Sequence, residues 1–319
     1  MKALVVGRPG TISLQDVPVP SRDGECLIRV RMAGICGTDL QILEGYAAFR
    51  GVPGHEFVGV VASAPDADAS WIGQRVVGEI NVGCGACVWC RRNEKEHCLN
   101  RNVLGIRGRD GAFAEFVTLP AKNLHAVPDG VGDETAVFVE PVAAACRILE
   151  QMTLTDGQRV AVIGDGRMGL IVAQVLRTAT GDVTLFGRHE HKLAVAHSLG
   201  LAISTATERP APPDRFDVVV DVTGRPAGLK RALDIVRPRG TVVMKSTFHG
   251  EAPLASWPIV VDEVTLLGSR CGPFKPAIDL LASGRVQVKP LIARVTALED
   301  HAFAFAEARR SLKVLFSVR

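Results

Sequence analysis

Residues 159–177, RVAVIGDGRMGLIVAQVLR, constrain the fold more than any other stretch of the chain. An apolar run ends at a glycine turn, and a long apolar-periodic segment follows at once. Gly164, Gly166 and Gly169 have the spacing G-x-G-x-x-G. The first glycine allows the tight turn, the second lets a pyrophosphate approach the backbone, and the third lets helix and strand pack closely. The phosphates then meet the free N–H groups and positive end of the helix. Such a motif alone also occurs as a plain connection, so its context matters. VTLFG with HKLAVAHSLGL, FDVVVDVTG with AGLKRALDIV, and GTVVMKS repeat the strand–helix alternation. Buried apolar strands alternating with helices predict a parallel, doubly wound, dinucleotide-binding domain over 146–282. RPAPPD at 209–214 reads as a loop inside it.

The second strand of such a domain usually ends in an acid that holds the adenosine ribose. Here it ends TLFGRHEHKL: Gly187 stands where the acid would be and Arg188 follows. A glycine removes the repulsion that an acid exerts on a 2′-phosphate, and an arginine fork can clamp that phosphate. The expectation is therefore NADP in preference to NAD. The residues expected around the cofactor are Gly164, Gly166, Arg167, Met168, Gly169, Arg188, Lys192 and Thr223. Asp165 is unusual beside phosphates, and a solvent-facing position is the simplest expectation for it.

The first 145 residues follow a different grammar. KALVVG, TISLQDV, ECLIRVRMAG, HEFVGVVASA, GQRVVGEI and GAFAEFVTLP are short strands separated by Gly, Pro and Asp, which suggests a small barrel or sandwich. From about Ser283 the chain returns to short strands and one helix, so 283–319 is expected to rejoin domain 1–145. The overall expectation is an α/β protein of two domains. Within the first, GCGACVWCRRNEKEHC gathers Cys84, Cys87, Cys90 and Cys98 in the spacing C-x2-C-x2-C-x7-C. Four thiolates in one loop match a closed tetrahedral zinc site, which stabilises a fold and leaves no corner open for substrate. Iron–sulfur ligation uses the same residue type at other spacings. His97 is a neighbour of Cys98 and a weaker ligand candidate.

Several functions are disfavoured. A formal charge of +3 on 319 residues, with scattered basic residues, offers no nucleic-acid stripe. With one tyrosine and few aromatics there is no stacking platform for single strands. No segment approaches the roughly 20 apolar residues that span a bilayer, and MKALVVGRPG is too short for a signal-peptide core. A cytoplasmic location is expected, where thiols stay reduced and disulfides are rare.

A catalytic metal needs mixed ligands and an open position. Cys36, His55, Glu56 and Glu140 offer a thiolate, an imidazole and carboxylates, a donor set suited to zinc, though spacing alone is a weak signal. Taken together, GICGTD, GVPGHEFVG, the four-cysteine loop, EPVAAA and VIGDGRMGL resemble, in this order and spacing, the zinc-dependent medium-chain dehydrogenase/reductase superfamily, in the branch of alcohol, sorbitol and threonine dehydrogenases. The resemblance covers essentially the whole chain. It implies a GroES-like catalytic domain, a Rossmann domain and an active site in the cleft between them. It also implies that Cys36, His55 and Glu140 hold a catalytic zinc, with Glu56 an alternate ligand, and that Cys84, Cys87, Cys90 and Cys98 hold a structural one. Lys313 falls where a basic residue can meet the cofactor pyrophosphate. Thr38 is the candidate to hydrogen-bond the reacting oxygen, Asp39 a support for His55, and Tyr46 a residue of the pocket.

The chain departs from the family in three respects. Many relatives carry a histidine where Gln41 stands; glutamine can hydrogen-bond but cannot titrate near neutrality. Gly187–Arg188 replaces the usual acid, and the chain is short. The implied activity is hydride transfer between NADP or NAD and a secondary alcohol, polyol or ketone, in a homodimer or homotetramer. A metal-free enone or quinone reductase, an amino-alcohol dehydrogenase of the L-threonine type, and a non-enzymatic zinc or redox protein are the alternatives.

Overall fold

The computed structural model describes residues 1–8, 10–205, 215–247, 254 and 256–318. The expected loop at 209–214 lies outside the described residues. The chain separates into two compact units, Met1–Glu140 with Ile292–Arg319, and Pro141–Leu291.

In the second unit six strands run parallel in the spatial order Ala202–Ser204, Val183–Phe186, Val160–Ile163, Phe216–Asp221, Val236–Met244, Thr265–Gly268. All four residues of Val160–Ile163 are buried, as a central parallel strand requires. Strand order reverses between this strand and Phe216–Asp221, the position where doubly wound sheets bind ligands beyond their carboxyl ends. Gly164 follows with φ of +120°, a conformation that favours glycine. The helix Arg167–Arg177 starts at Gly166 and buries Gly169 and every residue from Leu170 to Leu176.

The first unit holds a seven-stranded sheet. Its path is Ile292–Ala297, Lys313–Ser317, Cys26–Gly34, Glu56–Ser63, Arg75–Gly78, Leu124–Ala126, and Phe116–Leu119 pairs with Cys26–Gly34. Only the first pair is parallel. Register positions the site: Gly34 pairs with Glu56 on one side and with Leu315 on the other. The end of one strand and the starts of two others therefore meet, bringing Cys36, His55, Glu56 and Lys313 to one end of the sheet. Beneath them Phe113 stacks edge-on against Phe316, with centroids 5.1 Å apart. Among the described residues no helix is long and apolar enough to cross a membrane.

Candidate active site

Cys36 precedes the helix Gly37–Leu43, and its backbone N–H donates to Asp39 Oδ2 at 2.7 Å. This turn fixes the thiol beside the strand end. Gly54 turns the chain into His55 with φ of +98°. A Cβ on Gly54 would lie 2.5 Å from the Phe113 ring, so the aromatic core itself demands glycine there. His55 and Glu56 are consequently buried, 3% and 1% exposed. The ligand atoms of Cys36, His55 and Glu56 all lie within 4.8 Å of one another.

Two polar atoms in this cluster lack a hydrogen-bond partner: His55 Nδ1 and Asp39 Oδ1. They lie 3.4 Å apart, close enough to attract but outside hydrogen-bond geometry. Burial works against a charged imidazole, yet Asp39 and Cys36 outweigh it and raise the His55 pKa well above its ordinary value. The raised value reflects the acidic groups packed against the imidazole ring. A soft thiolate, an imidazole and a carboxylate fit zinc. Thr38 Oγ1 is 3.8 Å from Cys36 Sγ. Glu140, expected as the third ligand, opens the helix Val139–Gln151 and stands outside this set of mutually adjacent donors; Glu56 stands inside it. Tyr46 is 37% exposed and so is not a core residue.

Lys313 overturns an expectation. Instead of facing a pyrophosphate, its ammonium is fully buried in the first unit, bonded to Glu56 Oε2 and, at 3.2 Å, to Ile35 O. It lies 5.4 Å from the Phe138 ring centroid. Burial pushes its pKa down to about 8, against the upward pull of Cys36 and Asp39. Gly34 makes the contact possible, since a Cβ there would come within 2.9 Å of both Lys313 Cε and Glu56 Oε2. The sequence signal was present as Gly34 in GICGTD, but nothing local revealed its partners.

Cys84, Cys87, Cys90 and Cys98 also have ligand atoms within 4.8 Å of one another. Backbone N–H groups of Ala86 and Cys87, with Cys98, lower the Cys84 thiol to about 6. Burial pushes Cys90 up to about 11. Gly83 leaves room for the group, because a Cβ there would sit 2.6 Å from Cys90 Sγ. N–H groups aimed at sulfur and four convergent thiols fit a closed tetrahedral metal. His97 stacks obliquely on Trp89 and is not part of the cluster.

At the glycine turn, a Cβ on Gly169 would lie 1.8 Å from Gly164 O, whereas one on Gly166 would meet nothing within 4 Å. The first requirement is close packing; the second leaves open backbone for a phosphate. Arg167 and Met168 begin the helix, and Thr223 N–H donates to Asp221 Oδ1 at 2.9 Å beyond the adjacent strand. Lys192 lies in the helix Glu190–Ser198. Asp165 is not solvent-facing: it is 5% exposed. Its Oδ2 accepts the backbone N–H groups of Arg188 and His189, each at 2.7 Å, and its Oδ1 lies 2.8 Å from His189 Nδ1. The Arg188 side chain is exposed.

Two family models match the chain: an alcohol dehydrogenase GroES-like domain over residues 22–129 and a zinc-binding dehydrogenase domain over 168–283. An L-threonine 3-dehydrogenase of Streptomyces avermitilis is 34% identical, the alignment covering 97% of this chain and 96% of that one. An erythritol/L-threitol dehydrogenase of Mycolicibacterium smegmatis is 30% identical over 99% and 94%. Among solved structures, a protein described as a zinc-binding dehydrogenase from Sinorhizobium meliloti 1021, bound to NADP, has TM-score 0.91 and 29% identity, covering 99% and 98% of the chains. A short chain alcohol dehydrogenase of Escherichia coli CFT073 complexed with NADH has TM-score 0.90 and 27% identity, covering 99% of each.

Proposed function

The chain belongs to the zinc-dependent medium-chain dehydrogenase/reductase superfamily, and we propose that Cys36, His55 and Glu56 form the seat of a catalytic zinc at which a secondary alcohol or polyol is oxidised, or the ketone reduced, with NAD(P). The observation that carries this is the proximity of those three buried or half-buried donors, whose ligand atoms all lie within 4.8 Å of one another. A zinc ion held there would supply Lewis-acid chemistry, and a bound nicotinamide cofactor would supply the hydride acceptor or donor.

The chain's own residues do the rest. Asp39 fixes the Cys36 backbone through its N–H and places its other carboxylate oxygen 3.4 Å from His55 Nδ1, a charge support for the imidazole beside the donor set. Thr38 Oγ1, beside the Cys36 thiol, takes the hydroxyl proton of the alcohol and hands it on. Gln41 can extend a hydrogen-bond chain from there but holds no proton of its own, so solvent is the final acceptor. Lys313 holds Glu56 at the sheet end, and Glu140 is the further carboxylate that the family likeness adds. The cysteine lobe binds a second, structural zinc. Small polyols and amino alcohols are the proposed substrates, the protein acting as a cytoplasmic homodimer or homotetramer.

The test is cofactor reduction over a panel of polyols, amino alcohols and simple secondary alcohols, with NAD and NADP in parallel. Turnover that is lost in Cys36→Ser supports the proposal. Metal-independent reduction of enones or quinones, unaffected by Cys36→Ser, would point to the metal-free reductase instead.

A further inference from the structure

Asp165 lies inside the glycine turn, yet its side chain serves the end of the neighbouring strand. A Cβ on Gly187 would meet Asp165 Cβ at 2.6 Å and Asp165 Oδ2 at 2.7 Å. Gly187 is therefore the place where the usual ribose acid is missing and also the place where the Asp165 carboxylate is lodged. The two backbone N–H groups that follow, Arg188 and His189, both donate to Asp165 Oδ2, and the His189 ring faces Oδ1. Successive N–H groups in a loop make an anion-binding concavity, and here a carboxylate of the same chain fills it.

We propose that Asp165 is this chain's relocated ribose acid, and that by filling the N–H concavity at Arg188 and His189 it selects NAD against NADP. The proposal rests on the dinucleotide-binding reading above and runs against the NADP preference expected from Gly187 and Arg188. That expectation took the site to be free of negative charge. In the structure the carboxylate is present, delivered from residue 165 in place of 187. A 2′-phosphate would lose the two N–H donors and face a like charge at short range, and the exposed Arg188 guanidinium is left to interact across solvent. A ribose diol, being neutral, suffers no repulsion and can donate to Oδ1, which keeps a lone pair beyond the one facing His189. The carboxylate stays charged: burial opposes ionisation, but the His189 N–H and ring and the Arg188 N–H more than offset it and hold the Asp165 pKa low.

The test is calorimetric binding of ADP-ribose and ADP-ribose 2′-phosphate to the full-length protein, ligands that report the adenosine end without hydride chemistry. The wild type is expected to bind ADP-ribose on the order of a hundredfold more tightly than its 2′-phosphate. Asp165→Asn, which keeps the size and loses the charge, should reduce that ratio at least about tenfold, and Asp165→Ser should reduce it further by opening the N–H groups. A wild type that binds the 2′-phosphate equally well or better overturns the proposal, as does a ratio unchanged in both variants. If either variant fails to fold, the wild-type ratio still decides. Binding of neither ligand would instead refute the dinucleotide site itself, and the inference with it.

Discussion

Gly187→Ala probes the packing on which the cofactor inference stands. The new Cβ would lie 2.6 Å from Asp165 Cβ, 2.7 Å from Asp165 Oδ2 and 2.7 Å from Leu193 Cδ2. Leu193 is buried but can shift its terminal methyl, whereas the Asp165 side chain is tied to two backbone N–H groups and a histidine ring. Overpacking of this kind costs about 1–3 kcal/mol. In a unit of this size that corresponds to a Tm lowered by about 2–12 °C, readable by scanning calorimetry. Asp165→Gly removes two of the three clashing atoms, leaving only the movable Leu193 methyl, and itself costs about 1–3 kcal/mol, because two loop N–H groups lose their acceptor. In the double variant the alanine finds space, so the two losses should fall short of additive by about the whole Gly187→Ala cost. Simple additivity, or a Gly187→Ala protein as stable as wild type, would refute the placement of Asp165 over residue 187.

Other substitutions separate the remaining roles. Cys87→Ser should lower Tm and release one zinc while the Cys36 cluster keeps its own, because a closed four-thiolate site supports folding rather than chemistry; loss of turnover at unchanged Tm would contradict this. Thr38→Val should reduce kcat by about a hundredfold with zinc content unchanged, and Thr38→Ser should restore most of it, as expected for a hydroxyl that moves a proton. The Tm difference between wild type and Asp165→Asn should depend on pH. Asp165 is held below its ordinary value of 3.8, so its contribution is complete above that pH and fades as pH falls through the lower folded value. A gap as large at pH 3 as at pH 7 would contradict it.

What was legible in the sequence was local. The glycine turn carries its own reasons in three adjacent contacts, and the four cysteines converge because only a few residues separate them. Cys36 and His55 could be named as candidates because GICGTD and GVPGHEFVG carry the family likeness. What could not be read was contact across strands. Asp165 and Arg188 are 23 residues apart, in the loops that follow neighbouring strands of a parallel sheet, so the hydrogen bond between them appears only in the fold. Lys313 and Glu56 are 257 residues apart. A lysine near the carboxyl terminus announces charge but not its partner, and Gly34, the position that makes room for the pair, looks in sequence like any turn glycine. That Glu56 lies beside Cys36 and His55 has the same origin: adjacency in GHE is visible, but the side chain that turns inward is set by strand register.

Zinc stoichiometry of Cys36→Ser beside wild type, with folding checked by circular dichroism, tests the catalytic assignment most directly. Two sites of different kind predict about two zinc per chain in wild type and about one in the variant, with an unchanged spectrum and no alcohol oxidation. A variant that keeps both zinc ions and its turnover would contradict the assignment of Cys36 to the reacting metal.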